Sequence, residues 1–217
     1  MSDTTTQNRK RKASLPILIA GGVSSLVLAL GMSPTFSAFT ASIQNSVNTA
    51  GTGTLVMEEK NQAGTVTCLS TDGGSVSTNS ATCATINKYS GDLAMVPGET
   101  VVTNITIKNV GTVDATSFSL VAGACTQAAN GTLNGTATDL CTQTTVVVTS
   151  GAKTIYSGTA AAMNAASINM LTQLGVASVP AGTSIPITFS VKAGTTALGN
   201  TYQGLKIAQS MTWAFGA

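Results

Sequence analysis

Apolar and polar residues alternate along several short stretches in the C-terminal two thirds of the chain. A period of two residues is the pattern of a β-strand with one buried face. Turn residues such as glycine, proline and asparagine separate the stretches, which favours antiparallel strands. Their apolar positions are Val102, Ile105, Ile107 and Val110, then Phe118, Leu120 and Ala122, then Ile185, Ile187, Phe189 and Val191, and finally Leu205, Ile207, Met211, Trp213 and Phe215.

Turn sequences precede or separate the predicted strands. Pro97-Gly98 and Pro180-Ala181-Gly182 each precede one of the alternating runs, and proline and glycine are favoured at the central positions of tight turns. Ser150-Gly151-Ala152-Lys153 lies between two short apolar runs and predicts a hairpin. The segment 93–123 as a whole predicts an antiparallel meander with one buried face.

Only the segment 159–174 carries a helical pattern. It is rich in alanine and methionine, and its apolar positions approximate a period of 3.6 residues. A loop that crosses between two sheets is the alternative, because asparagine and serine interrupt it. The last run, 202–215, predicts a central core strand anchored by Trp213. The expected fold is all-β: a jelly-roll or Ig-like β-sandwich with an N-terminal signal helix and at most one short helix.

The N-terminal segment predicts export. Four basic residues at 9–12 precede an apolar stretch at 15–32, and Ser33-Pro34 ends that stretch. This order is typical of a signal peptide. Small residues at the −3 and −1 positions place cleavage between Ser37 and Ala38. An uncleaved membrane anchor and a buried core helix are the alternatives, since the apolar stretch is nearly long enough to span a bilayer.

The residues after the cleavage site form another alternating stretch. Its apolar positions are Phe39, Ala41, Ile43 and Val47, and a segment rich in turn residues follows at 48–53. Such a strand can leave its own domain and pair with the exposed sheet edge of a neighbour. An edge strand of the chain's own sandwich, or a disordered terminus, would show the same pattern. The predicted divisions are a signal peptide at 1–37, a donor strand and linker at 38–53, and a sandwich domain at 54–217.

Charge is sparse once the leader is removed. From Ala38 onward the chain has six lysines and seven acidic residues, a net charge of −1. A surface of this kind offers no basic patch for nucleic acid. Threonine, serine, alanine, glycine, asparagine and valine dominate, which is typical of secreted β-rich surface proteins. About 180 residues suffice for one domain with its own core.

The four cysteines predict two local disulfides. An even number of cysteines in an exported chain indicates a disulfide framework. Three pairings are possible, and Cys68 with Cys83 and Cys125 with Cys141 are favoured because each closes a short loop within one polar segment. A metal site is the competing interpretation. Zinc sites need closely spaced ligands and usually histidine, and the chain has neither.

Catalytic chemistry finds little support in the sequence. The chain contains no histidine, which removes histidine-based triads, histidine general bases and the zinc-peptidase helix motif. Ser150 and Lys153 match an SxxK string, but that motif acts at the start of a helix, whereas here it lies in a predicted hairpin turn. The acidic pair Glu58-Glu59 is better explained as a solvated strand edge. We therefore expect no enzyme activity, no catalytic residues, no cofactor and no bound metal.

Several short motifs, in this order, resemble the TasA/camelysin family of exported bacterial biofilm-matrix fibre proteins. They are the leader ending Thr35-Phe36-Ser37-Ala38-Phe39, the opening Gly51-Thr52-Gly53-Thr54-Leu55, the turn Val96-Pro97-Gly98-Glu99-Thr100 with the strand to Asn109-Val110-Gly111, and the closing Asn200 to Gly204 with Gln209 to Trp213. The two cysteine-stapled loops depart from the TasA pattern and suggest a related lineage. The peptidase activity associated with camelysin is not implied, because histidine is absent.

The resemblance implies a jelly-roll sandwich, a dedicated signal peptidase and extracellular fibres. In such fibres the mature N-terminal strand of one subunit completes the sheet of its neighbour, which favours the donor interpretation of Phe39, Ala41, Ile43 and Val47. The expected protein is a secreted, cell-surface or matrix fibre subunit whose partners are other copies of itself, the signal peptidase and other matrix or cell-wall components. The alternative is a monomeric secreted adhesin or glycan-binding sandwich that uses the loops at 60–91 and 124–141.

Overall fold

The computed structural model describes residues 49–194 and 198–217. Within these ranges the fold is all-β, as predicted: short strands with antiparallel pairing predominate. The strands are β1 Met57–Asn61, β2 Thr67–Leu69, β3 Thr100–Asn109, β4 Ser117–Ala122, β5 Thr126–Ala129, β6 Thr145–Ser150, β7 Lys153–Thr159, β8 Ile168–Asn169, β9 Ser184–Lys192, β10 Leu205–Ala208 and β11 Met211–Gly216. The α-helices are α1 Leu140–Gln143 and α2 Met170–Leu174, and 3-10 turns cover Ala162–Ala165 and Asn200–Tyr202. Across the described ranges, no helix is both long and apolar enough to cross a bilayer.

The larger sheet has six strands in the order β2-β1-β3-β9-β6-β7. Strands β3 and β9 form its centre and pair from Thr100 opposite Lys192 to Lys108 opposite Ser184. The alternating apolar residues of β9 are all buried: Ile185, Ile187, Phe189 and Val191. The period of two in the sequence therefore identifies the core face of this strand correctly.

The second layer is a bent ribbon. Strands β8, β4 and β11 form a three-stranded sheet, and β5 pairs with β10. The N–H of Gly123, between β4 and β5, donates at 2.9 Å to the carbonyl of Ser210, between β10 and β11. This bond connects the β4–β11 ladder to the β5–β10 ladder at the bend of the ribbon. The ring of Trp213 in β11 lies 6.2 Å from the ring of Phe189 in β9 and 5.8 Å from that of Phe118 in β4. These aromatic contacts hold the two layers together as a β-sandwich.

The two proline-glycine turns form as the sequence predicts. Gly98 and Gly182 have φ angles of +86° and +81°, a region that glycine adopts without steric cost. The N–H of Glu99 donates to the carbonyl of Val96 at 3.0 Å, which closes the first turn, and Thr183 closes the second on Pro180 at 3.0 Å. The hairpin of β6 and β7 also forms, with Ser150 opposite Lys153 at its turn.

The predicted helix over 159–174 is wrong in its extent. Strand β7 continues to Thr159, and the 3-10 turn, β8 and α2 follow in turn. Ala160, Met163 and Met170 are fully buried, so the segment crosses the end of the sandwich and packs its apolar residues without a continuous helix. With α1, the described residues hold two short helices where at most one was expected.

The predicted meander over 93–123 is also wrong. Strand β3 belongs to the six-stranded sheet and β4 to the opposite layer, because the chain turns from one layer to the other between Asn109 and Ala115. The sequence Thr54-Leu55-Val56-Met57 also predicts a strand, but β1 begins at Met57 and continues through the charged residues to Asn61.

Two disulfides cross-link the described part of the chain. Cys68 pairs with Cys83, and Cys125 pairs with Cys141, with sequence separations of 15 and 16 residues. Both predicted pairings are thus present. Each loop closure restricts the unfolded chain and stabilises the fold by about 3 kcal/mol in the entropic model. Disulfides of this kind indicate that the chain folds in an oxidising environment.

Candidate functional site: a groove beside the β11 edge

Strand β11 is an edge strand in the described part of the molecule. It pairs along its length with β4, from Met211 opposite Ala122 to Gly216 opposite Ser117, and no other described strand pairs with it. The sequence predicted a central strand here, so this is a correction. The misassignment arises because an edge strand that covers the core has the same alternating apolar pattern as a central one.

The hydrogen-bond pattern shows which backbone groups face the open side. Because Gly123 and Ser210 form a hydrogen-bonded pair, the alternation of an antiparallel ladder directs the backbone groups of Thr212 and Ala214 toward β4. The N–H and C=O groups of Met211, Trp213 and Phe215 then point away from β4. An edge of this kind can accept another strand.

The same three residues direct their side chains into the sandwich. Met211, Trp213 and Phe215 are partly buried and pack against the core, whereas Thr212 and Ala214 are exposed. The ring of Phe215 contacts that of Phe118 edge-on at 4.8 Å. The open edge of β11 is therefore lined with aromatic and apolar surface, and it differs in this respect from the polar edges that soluble proteins usually present.

A groove of about 1170 Å³ runs along this edge. We define the β11 groove as the space bounded by β11 on one side and, on the other, by Leu55, Met57 and Glu59 at the start of the domain together with the segment 79–97. Ile86 of that segment is buried in the core. The loop at 60–91, expected from sequence to lie on the surface, thus supplies one wall of the groove.

One ion pair lies in the wall of the groove. Nζ of Lys88 is 2.6 Å from Oε1 of Glu59, and the two side chains are 12% and 8% exposed. Removing both charges from water costs free energy that their attraction offsets only when they stay paired. Glu59 had been assigned from sequence to a solvated edge, and this is incorrect. The charge pattern of β1 carried no signal of the pairing, because Lys88 is 29 positions further along the chain.

A tyrosine closes one end of the groove. The hydroxyl of Tyr89 donates to Oε1 of Gln209, and Nε2 of Gln209 donates to the carbonyls of Gly123 at 2.8 Å and Ala160 at 3.0 Å. Burial, and to a smaller extent the nearby Tyr156, raises the pKa of Tyr89 far above its ordinary value. Tyr89 therefore stays protonated at neutral pH and acts as a donor. Gln209 is partly buried, like the apolar residues Ile207 and Met211 on either side of it in the alternation.

The first disulfide stabilises the groove wall. Cys68 follows β1 in the hairpin with β2, opposite Glu59, and its bond to Cys83 fixes the start of the segment that carries Ile86, Lys88 and Tyr89. The second disulfide lies elsewhere, where it joins Cys125 ahead of β5 to Cys141 in α1. Of the residues predicted as a site from sequence, the structure thus places one cysteine pair beside the groove.

Other predicted site residues lie outside the described ranges. These are the cleavage site at Ser37 and Ala38 and the donor positions Phe39, Ala41, Ile43 and Val47. Ser150 and Lys153 are described, and they occupy the turn of the β6–β7 hairpin. Within the described ranges, no three histidine, cysteine or acidic side chains are placed to hold a metal ion together.

The fold and the groove define a class: a disulfide-bonded antiparallel β-sandwich domain with an open, apolar strand edge. No protein-family model matches the chain, and no curated protein matches it at a significant level. Its function is therefore argued from the chemistry of the groove and from the sequence of the N-terminal segment.

Proposed function

We propose that this protein is a secreted structural subunit of extracellular or cell-surface fibres, of the kind found in biofilm matrices. Each subunit inserts residues 38–47 beside β11 of the next one. The observation that carries the proposal is the open edge of β11, where backbone groups without a described strand partner lie directly beside a groove that Met211, Trp213 and Phe215 line. Backbone bonds to the edge would supply affinity, and side-chain pockets would supply specificity.

The N-terminal segment has suitable dimensions. Ten extended residues span about 33 Å, enough to cover the six residues of β11, which span about 20 Å. The odd-numbered residues Phe39, Ala41, Ile43 and Val47 would face the groove, and the even-numbered Thr40, Ser42, Gln44 and Ser46 would face water. This alternation matches the alternation of buried and exposed side chains along β11.

Export is part of the proposal. The two disulfides support an oxidising compartment, and the N-terminal order of basic, apolar and small residues predicts recognition and cleavage by a signal peptidase. Membership of a lineage related to the TasA/camelysin family is likewise proposed, on the ordered motifs described above. The Pro97-Gly98 turn and the Asn109-Val110-Gly111 corner, two of those motifs, form well-defined turns.

Deletion of residues 38–47 tests the assembly mechanism. The mature chain starting at Ala38 should form filaments above a critical concentration, visible by electron microscopy and by sedimentation. The deletion variant should remain folded, with a cooperative thermal transition, and should stay monomeric at every concentration. Trp213 is the only tryptophan, so its fluorescence should change when the full-length mature chain assembles and not when the variant is concentrated.

A matched control separates strand chemistry from the mere presence of a tail. Replacing Phe39, Ile43 and Val47 together by serine keeps the length of the segment and removes its apolar face. This variant should also fail to assemble. Filaments formed by either variant would refute strand donation.

A second candidate function is adhesion through the loop surface. Leu93, Val96 and Leu133 are 60%, 62% and 89% exposed. Nδ2 of Asn130 donates to the carbonyl of Leu93 at 2.7 Å, so the loop at 124–141 meets the segment that follows the loop at 60–91. Exposed apolar side chains near each other are a frequent feature of binding surfaces. A mature chain that stays monomeric and binds glycans, with binding lost on Leu133→Ser, would favour this alternative over the fibre subunit.

A further inference from the structure

The loop at 124–141 contains the same tripeptide twice. Asn130-Gly131-Thr132 and Asn134-Gly135-Thr136 are the two places in the chain where glycine follows asparagine. An asparagine in this position is chemically labile, because glycine has no side chain to shield its own backbone nitrogen from the neighbouring amide. The identical local sequence gives both sites nearly the same intrinsic reactivity, so a difference between them has to come from the tertiary structure.

Deamidation at such a site is an intramolecular reaction. The backbone nitrogen of the glycine attacks Cγ of the asparagine, its proton passes to the leaving amide group, and ammonia departs as a succinimide ring closes. Water then opens the ring at either of its carbonyls and leaves aspartate or isoaspartate. The reaction therefore needs a glycine N–H that is free of hydrogen bonds and an asparagine side chain that can turn toward it.

The backbone at Asn134 is held in place. The N–H of Gly135 donates to the carbonyl of Gln203 at 2.7 Å. The backbone of Gly135 also packs so closely on the neighbouring segment that a Cβ at this position would collide with the carbonyl oxygen of Thr201. The nitrogen that would attack is thus already bonded, and its peptide cannot rotate without displacing the segment that contains Thr201 and Gln203.

The backbone at Asn130 is open by comparison. No described group accepts a hydrogen bond from the N–H of Gly131, and Gly131 is exposed. Apart from its chain neighbours, no described atom lies within 4 Å of the position that a Cβ on Gly131 would occupy. The nitrogen of Gly131 is therefore available, and its peptide can rotate freely.

The side chains differ in the same direction. Nδ2 of Asn130 makes a single bond, to the carbonyl of Leu93 at 2.7 Å. The side chain of Asn134 is bonded at both of its polar atoms: Nδ2 donates to the carbonyl of Gly131 at 2.8 Å, and Oδ1 accepts from the N–H of Asn130 at 3.0 Å. With the bond of the Gly135 N–H, ring closure breaks one described bond at Asn130 and three at Asn134.

We infer that Asn130 is a site of spontaneous deamidation, and that the fold protects Asn134 from the same reaction. The modification also reaches the β11 groove, because Asn130 and Leu93 both line it. An ionised carboxylate only accepts hydrogen bonds, so the product loses the bond that holds the carbonyl of Leu93 and adds a negative charge at that place. Deamidation therefore detaches the loop at 124–141 from the groove wall.

Peptide mapping of aged protein tests the selectivity. The mature chain, with both disulfides intact, is incubated at mildly alkaline pH below its unfolding temperature, and mass spectrometry locates the conversion of amide to acid. A zero-time sample corrects for deamidation during digestion. Asn130 should react at least about tenfold faster than Asn134, because ring closure at Asn134 breaks additional hydrogen bonds. Equal rates, or a faster reaction at Asn134, would overturn the inference.

The unfolded chain supplies the matched control. After reduction and denaturation in guanidinium chloride, the local sequence alone governs both tripeptides, so Asn130 and Asn134 should react at rates within about twofold of each other. A tenfold preference that survives unfolding would assign the difference to sequence and refute the structural explanation.

A substitution tests the effect on the groove wall. Asn130→Asp reproduces one product of the reaction, and backbone amides of the segment 93–97 should then exchange hydrogen about fivefold faster, the scale expected for one lost hydrogen bond. Thr132→Asp places the same charge nearby at an exposed position and should leave this exchange unchanged. Exchange that is the same in Asn130→Asp as in the parent would refute the effect on the wall. Neither test depends on assembly, so this inference stands or falls independently of the proposed function.

Discussion

At the scale of the residue, Asn109 shows how one buried polar side chain holds a corner together. Its side chain is fully buried, and Nδ2 donates to the carbonyls of Val113 at 2.9 Å and Val179 at 3.0 Å. Oδ1 accepts from the N–H of Gly111 at 3.0 Å. The residue therefore connects the chain that leaves β3 to the turn that leads into β9.

Replacing Asn109 should be costly. Asn109→Leu nearly keeps the volume but leaves the carbonyl of Val113 and the N–H of Gly111 without their partner, so the free energy of unfolding should fall by about 3 kcal/mol. Urea unfolding of the monomeric deletion variant measures it. Asn200→Leu, at an exposed position, should change stability by less than about 0.5 kcal/mol. A small loss at Asn109 would show that water replaces the amide.

Tyr89 links stability to pH. Its pKa is raised in the folded protein by burial, so the folded state holds the phenolic proton more tightly than the unfolded chain does. The resulting stabilisation is complete below the ordinary tyrosine pKa of about 10 and is lost as the pH rises through the folded value. The free energy of unfolding should therefore fall as the pH rises above about 10.

Comparison with Tyr89→Phe isolates this residue. The variant loses the bond to Gln209 and should be less stable by about 1 kcal/mol at neutral pH. Its stability should also decline less steeply at high pH than that of the parent. Identical slopes in the two proteins would mean that the Tyr89 hydroxyl ionises as freely in the folded state as in the unfolded one.

At the scale of the element, the two sides of β11 should respond differently to proline. Met211→Pro removes an N–H that points to the open side, so the ladder with β4 survives, and the variant should stay folded but fail to assemble. Thr212→Pro removes an N–H that points to β4 and should lower the stability of the monomer by about 3 kcal/mol. Thermal unfolding and sedimentation of both variants check this.

The opposite result would mean that the open side of β11 has been assigned to the wrong side of the strand. Filaments from Met211→Pro, or a monomer that tolerates Thr212→Pro, would show that the backbone groups of β11 face the other way. Either observation would contradict the groove as the place where a neighbouring strand binds.

For strands with one buried face, the boundaries in the structure agree with those that the local sequence pattern predicts. Strand β9 and the β6–β7 hairpin formed where alternation and turn residues placed them, because side-chain period and turn chemistry are local properties. The segment 159–174 did not follow its local pattern. The methionines of this segment are buried in the core although its backbone does not form a continuous helix. Tertiary packing therefore outweighs the weak helix propensity of the segment.

At the scale of the whole molecule, the low charge has a consequence for assembly. The proposed donor segment 38–47 carries no charge, and the two buried charges of the groove wall, Glu59 and Lys88, pair with each other. Assembly should therefore depend little on sodium chloride, with a critical concentration that changes less than about twofold between about 0.05 and 0.5 M. Sulfate should lower it, since it strengthens apolar burial. A steep dependence on sodium chloride would indicate charge-driven association instead.

The candidate site was only partly accessible from sequence. The two cysteine pairs were correctly predicted because each closes a short local loop. The ion pair of Glu59 with Lys88 and the bond of Tyr89 to Gln209 were missed, since their partners are 29 and 120 positions apart. Contacts at such separations leave no periodic signal in the chain.

The sequence by itself determined the all-β class, the turns and the disulfide pairing, because these follow from period, local turn chemistry and short loop closure. Only the tertiary structure decided that β3 and β4 lie in opposite layers and that β11 is an edge strand within the described residues. Alternation identifies which face of a strand is buried, but it carries no information about the neighbour in the sheet. Strand order depends on contacts between distant segments, and these form only when the layers pack.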